Sequence, residues 1–244
     1  EGAFCYEDGC LYRGLIVLAE ATGDPRWERH LLRLLGAQVA PDGTLAGYDM
    51  AELNIDNILS GRALLHLHRR TGETRWLRGA ERLAAQLDQQ PRTRSGVYWH
   101  KQIYPWQVWL DGLYMGLPFQ IEYGQIADRP DLVADALEQL RAALALTWDP
   151  ATRLHVHGHD EARVQPWADA ETGRSRAHWA RAIGWLAMCL ADTAELVGPR
   201  GFEAEGLGGS ARPLAGRLAE LATPSGLWLQ VIDAQRLAGN YEEG

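Results

Sequence analysis

Asp111 is the only acid between Tyr98 and Met115, a stretch that also holds Tyr98, Trp99, Tyr104, Trp106, Trp109, Tyr114 and the pair His100-Lys101. Aromatic faces stack on sugar rings, and Trp and Tyr each add one polar tip. A carboxyl group set among indoles is poorly hydrated, so its charged form is disfavoured and its pKa rises. A carboxyl that stays protonated near neutral pH can act as a general acid. The same pattern also fits an aromatic-rich helix start packed in a core, with Asp111 as a capping or buried hydrogen-bonded residue.

A second acid, Asp56, lies in Asn54-Ile55-Asp56-Asn57-Ile58-Leu59-Ser60-Gly61, where a helix is expected to begin. Asp is common there as an N-cap. Asp111 takes the matching place at a later helix start. Where two such starts share one rim, the acids couple, with one ionised and one held protonated.

Three histidines alternate in His155-Val156-His157-Gly158-His159-Asp160-Glu161. Alternation in an extended segment puts them on one face, which would suit a transition metal. No further ligand spacing supports a metal, and single hydrogen bonds to a ligand explain the loop as well. In Trp179-Ala180-Arg181-Ala182-Ile183-Gly184-Trp185, the spacing places Arg181 and Trp185 on one helical face. That pair can hold a carboxylate and stack a sugar, or can be an ordinary surface cation–π contact. Lys101 and Arg181 are the best candidates for receiving an anion.

The elements that must position these groups are helical. The segment around Thr22-Gly23-Asp24-Pro25-Arg26-Trp27 repeats as Thr71-Gly72-Glu73-Thr74-Arg75-Trp76, at an offset of 49 residues (71 minus 22). Each unit is a helix, a Gly stop and an acidic restart, which makes an αα-hairpin. Degraded copies follow, turning at Ala127-Asp128-Arg129-Pro130 and at Val197-Gly198-Pro199. Leu31, Leu34 and Leu35 share one helical face, as do Leu132, Ala136, Leu140 and Leu144. The strand candidates are Leu154–His157 and Leu227–Val231, and the Gly-rich stretch from Glu203 to Ser210 is expected to be a loop. Repeated hairpins of this length predict an all-α solenoid or closed α/α toroid over residues 1–244. The loops between hairpins would crowd one rim, where function usually lies.

The net charge of −8 argues against a nucleic-acid binder and requires that any anionic ligand meet locally placed cations. Cys5, Cys10 and Cys189 form no disulfide framework, although Cys5 and Cys10 are close enough in sequence to pair. No run is long and apolar enough for a membrane helix, and no signal peptide is visible.

Taken together, these residues resemble glycoside hydrolase family 105, the unsaturated rhamnogalacturonyl hydrolases, and more distantly family 88, the unsaturated glucuronyl hydrolases. The resemblance rests on His100-Lys101-Gln102-Ile103-Tyr104-Pro105 leading into Trp109-Leu110-Asp111-Gly112-Leu113-Tyr114-Met115. It extends to His157-Gly158, Asp160-Glu161, Trp167-Ala168-Asp169, Gly173, Ser175, the Trp179 to Trp185 run and Gly226-Leu227-Trp228. It implies an (α/α)6 barrel with no metal or organic cofactor. By the same resemblance Asp111 is the general acid/base and Asp56 assists it, while His100, Lys101, Trp109, His157, Arg181 and Trp185 contact the sugar. The implied substrate is an oligosaccharide left by a lyase, with a double bond between C4 and C5 of its terminal uronate. Galacturonyl-rhamnose is favoured over glucuronyl substrates by the closer motif match.

Such enzymes commonly act after import, so a cytoplasmic location is expected. Family members continue past a segment like Gly239-Asn240-Tyr241, so four hairpins are expected here where a closed barrel has six. An open toroid would expose apolar faces on its end hairpins. His159 also stands where an aromatic residue is more usual. Two other readings remain: an α/α-toroid sugar enzyme of the N-acylglucosamine 2-epimerase type, which uses histidines as acid and base, and a carbohydrate-binding remnant without catalysis.

Overall fold

The computed structural model describes residues 4–242. Helices follow one another in antiparallel pairs. They are α1 (Tyr6–Thr22) with α2 (Pro25–Gln38), α3 (Gly61–Thr71) with α4 (Thr74–Gln89), α5 (Leu110–Ile126) with α6 (Pro130–Thr147), and α7 (Ala180–Ala204) with α8 (Gly208–Leu221). The first member of each pair lies inside. α1 touches α3, α3 touches α5, and α5 touches α7, while α2, α4, α6 and α8 each back their own partner. This is the α/α toroid that the repeats predict, with four hairpins among the described residues.

The Thr-Gly repeat has a physical basis. Thr22 Oγ1 donates to the Leu18 carbonyl and accepts from the Asp24 N–H, while Gly23 takes φ 65°. Thr71 Oγ1 likewise donates to the Leu67 carbonyl and accepts from Glu73 N–H, with Gly72 at φ 72°. A left-handed C-cap of this kind is cheap only for glycine. The third hairpin turns at 127–129, as expected. In the fourth, Gly198 (φ 73°, ψ 160°) breaks α7 just before Pro199.

Three expectations need correction. Leu154–His157 is not one strand: β3 (Leu154–His155) pairs with β2 (Trp148–Asp149), and β4 (Gly158–Asp160) pairs with β1 (Gln107–Trp109). Leu227–Val231 forms no regular strand, only the isolated bridges Leu229 to Tyr241 and Val231 to Trp179. Glu203–Ser210 is mostly helical, because α7 runs to Ala204 and α8 starts at Gly208. Burial of Phe202 and Leu207 and the Glu203–Arg212 ion pair tie the two helices there. Cys5, Cys10 and Cys189 are free.

The inner helices are tied by charge as well as by apolar packing. Arg62 on α3 is 3 % exposed. Its Nε lies 3.0 Å from Glu122 of α5, and its guanidinium also meets Asp192 of α7. Arg13 of α1 reaches Asp192 at 3.6 Å, and Arg69 of α3 meets Glu122. Close packing of α3 on α5 requires Gly61, where a Cβ would meet the Phe119 ring at 2.5 Å. Leu11, Val17 and Leu18 on α1 and Met188 on α7 stay exposed, at the flanks of the inner row. None of the described helices is long and apolar enough to cross a membrane.

Removing one member of a buried ion cluster leaves its partners uncompensated. Arg62→Ala should therefore lose about 3 kcal/mol or more in urea unfolding. A loss below about 1 kcal/mol, the range of surface pairs, would show that the cluster does not hold the helices.

Candidate active site

The site is built by backbone pairing between segments far apart in sequence. Asn54 bridges Lys101, the Ile55 N–H donates to the His100 carbonyl, and the Gln102 N–H donates to the Leu53 carbonyl. Gln90 Nε2 fastens this strap by donating to the carbonyls of both Leu53 and Trp99. The His100 N–H donates to the Gln107 carbonyl at 2.9 Å and closes the 101–106 loop. The β1–β4 ladder then sets Trp109 opposite Gly158, and the Leu110 N–H donates to the His157 carbonyl.

These pairings bring Asp56, His100 and Lys101 together. Asp56 lies in a 3-10 turn, Ile55–Ile58, that precedes α3. It is not the cap: Asn54 caps the turn by accepting from the Asp56 N–H. Asp56 Oδ2 instead lies 2.7 Å from Lys101 Nζ, and its Oδ1 is 3.6 Å from His100 Nε2. Burial pushes the His100 imidazole down to about 4, so the ring is neutral at ordinary pH. Its plane stacks on Trp109 at 4.6 Å and 11°. Tyr104 lies against the same indole at 5.1 Å and 11°. Gly112 makes room for this stack, since a Cβ there would stand 2.9 Å from His100 Nδ1.

Asp111 lies in the first turn of α5, whose N-cap is Trp109, with no side-chain capping bond. Its Oδ2 is buried without a hydrogen-bond partner. Burial is the main cause that raises the Asp111 carboxyl to about 7, and Asp56 adds to the rise. Its own backbone N–H, Arg181 and Lys101 oppose it. Desolvation thus wins over a helix N-terminus and two cations, all of which favour the carboxylate.

His157 stands among indoles, 5.3 Å from Trp167, 6.3 Å from Trp109 and 6.4 Å from Trp179. Its Nδ1 is 2.7 Å from Ser175 Oγ, and burial lowers its pKa. The other two histidines have separate partners: His155 Nδ1 meets Thr147 Oγ1, and His159 Nε2 meets the Thr172 carbonyl. Among the described residues no group of three His, Cys, Asp or Glu side chains is placed to hold a metal. Asp160 and Glu161 brace loops. Asp160 accepts from the N–H groups of Ala162, Val164 and Gln165, and Glu161 accepts from those of Arg94 and Ser95.

Arg181 and Trp185 line a cleft of about 480 Å³ with Met188, Leu227, Trp228 and Glu242. The two do not form a cation–π pair. The Arg181 guanidinium lies 5.2 Å from the Trp179 ring, and Trp185 stacks on Tyr114 at 5.3 Å. Asp111 and Asp56 are not among the residues lining that cleft. Sequence reasoning gave no role to Tyr104, Trp167, Trp179, Ser175 or Glu242. The first four are visible in the motifs as aromatic or hydroxyl neighbours of site residues, whereas nothing in the spacing marks Glu242.

The Glycosyl Hydrolase Family 88 model matches residues 1–244. The chain belongs to glycosyl hydrolase family 88. It superposes on the structure of a family 105 glycoside hydrolase from C. acetobutylicum ATCC 824 with a TM-score of 0.93 and 33% identity, covering 98% of this chain and 67% of that one. It is 28% identical over 237 residues to the unsaturated rhamnogalacturonyl hydrolase YesR of Bacillus subtilis (strain 168), which is 95% of this chain and 65% of that protein. It is 55% identical over 129 residues to protein Atu3128 of Agrobacterium fabrum (strain C58 / ATCC 33970), which is 53% of this chain. The match spans 54% of that relative's length.

The raised Asp111 pKa has a consequence for stability. Its folded value of about 7 lies above the ordinary 3.8. Burying the charged form therefore costs on the order of 4 kcal/mol, felt fully above about pH 7 and absent below about pH 4. Asp111→Asn should raise the Tm at pH 8 and leave it nearly unchanged at pH 4. An equal shift at both pH values would mean that the carboxyl is not desolvated.

Proposed function

We propose that this family 88 chain carries the site of an unsaturated uronyl hydrolase, acting on the 4,5-ene uronate at the end of a lyase-generated oligosaccharide, with galacturonyl-rhamnose favoured. The observation that carries the reading is Asp111: a carboxyl raised to about 7, with an unpartnered Oδ2, beside an Asp56–Lys101 pair. Likeness to the named rhamnogalacturonyl hydrolase supports the choice of substrate.

Asp111, protonated, donates its proton to C4 of the vinyl ether. The double-bond electrons form the C4–H bond, and positive charge spreads over C5 and the ring oxygen. Water adds at C5 and returns a proton to the Asp111 carboxylate, so the residue ends as it began. The hemiketal opens to a C5 ketone, and the exposed C1 releases the aglycone. One residue serves as acid and then base, so the separation of paired carboxylates that separates retaining from inverting enzymes has no bearing.

Asp56 adds negative charge near the developing cation and helps to keep the Asp111 proton in place. His100, neutral and stacked on Trp109, offers hydrogen-bonding nitrogens without adding charge. His157 is turned by Ser175 within its indole cage and presents its second nitrogen to a sugar hydroxyl. Trp109 and Trp185 supply stacking faces. Arg181 receives the uronate carboxylate, which an acidic chain repels elsewhere.

The test is loss of the ultraviolet absorbance of the conjugated double bond from an unsaturated galacturonyl-rhamnose disaccharide. The native chain should remove it, with a rate that falls as pH rises through about 7. Asp111→Asn should be slower by roughly 10²–10⁴-fold. Full activity in Asp111→Asn combined with loss in His157→Ala would replace this reading with histidine chemistry. Sugar binding without loss of absorbance would leave a binding protein.

A further inference from the structure

The cation assigned to the substrate already holds a carboxylate. Glu242 Oε1 lies 2.6 Å from both Nε and Nη2 of Arg181, and Glu242 Oε2 accepts from Trp179 Nε1 at 3.0 Å. Three donors from two side chains converge on one carboxyl group. The donors belong to the start of α7, where Trp179 is the N-cap. The acceptor comes from a ribbon laid against that start. The Ala180 N–H donates to the Gln230 carbonyl, the Gln230 N–H to the Asn240 carbonyl, and the Glu242 N–H to the Trp228 carbonyl.

We infer that Trp179 Nε1 and the Arg181 guanidinium together form the carboxylate receptor of the site, and that Glu242 is an internal carboxylate which an anionic sugar must displace. This rests on the hydrolase reading for the identity of the sugar, but the receptor itself rests on geometry. Charge-assisted bonds to a guanidinium edge, completed by an indole N–H, fit a carboxylate and offer little to a neutral hydroxyl. Arg181 remains 40% exposed while Glu242 is 11% exposed, and both line the 480 Å³ cleft, so a ligand in the cleft reaches the pair directly. Exchange of one carboxylate for another keeps the receptor neutral. Every anionic ligand therefore binds only in the fraction of molecules from which Glu242 has withdrawn, and its apparent affinity falls by that fraction. A neutral sugar neither gains nor loses.

The experiment measures binding of galacturonate and of galactose to the whole chain by calorimetry, with Glu242→Gln and Trp179→Phe. Glu242→Gln should tighten galacturonate by about tenfold, since a neutral amide competes poorly for the guanidinium. It should leave galactose unchanged. Trp179→Phe keeps the ring, loses the N–H, and should weaken galacturonate several-fold even with Glu242→Gln in place. Unchanged, weaker or absent galacturonate binding in Glu242→Gln would overturn the inference, because Glu242 would then position Arg181 rather than compete for it. An equal gain for galactose would overturn it as well. The absorbance assay separates the two readings: the binding pattern without turnover keeps the receptor and removes the hydrolase, and turnover without the pattern does the reverse.

Discussion

The Arg62 cluster is the constraint on which the rest depends. A guanidinium almost without solvent must keep its carboxylates, and those carboxylates stand on α5 and α7. Four parallel inner helices are thereby held in register by groups that have no cheap alternative. Their starts then share one rim. Each start brings a different group there: Tyr6 on α1, Asp56 ahead of α3, Asp111 on α5 and Arg181 on α7. None of these residues reaches the others through sequence proximity.

That arrangement explains how one carboxyl can keep its proton in a place that favours carboxylates. The start of a helix is positive, and Lys101 and Arg181 add to it. Asp111 resists both because burial outweighs them, and each cation has a carboxylate of its own, Lys101 with Asp56 and Arg181 with Glu242. The acidic chain thus neutralises its own cations at this rim. The rim thus sets a poorly hydrated acid next to well-compensated charges, which is what the proposed chemistry needs.

The hairpins were legible because their signals are local. A Thr hydroxyl, a left-handed glycine and an acid lie within four residues, and the geometry repeats 49 positions on. Asp111 and the His100-Lys101 pair were legible for the same reason, as a dense run of unusual residue types. The strap joining Asn54 to Lys101 and the β1–β4 ladder were not, since each pairs segments tens of residues apart and neither side has strand composition. Arg181 was legible in part, since it and Trp185 do line one cleft. Helical spacing put Trp185 beside it, but Trp179 stands at the N-cap, outside the helical repeat, and its extended backbone (φ −74°, ψ 122°) leaves the ring within reach of the guanidinium. Glu242 was invisible because only the folded ribbon carries it to α7.

Gly112 has no side chain and touches no ligand in the chemistry described above, yet it sets a length. His100 can lie against α5 only because position 112 ends at a hydrogen. The gap between the carboxyl at 111 and the ring stack on Trp109 is thus fixed by a missing carbon. A methyl group there would leave the acid, its burial and its helix in place while sliding the imidazole off the indole. In the reaction proposed above, such a protein would keep its reagent and lose its ruler, so that damage to sugar placement would arise from a residue with no functional group to lose.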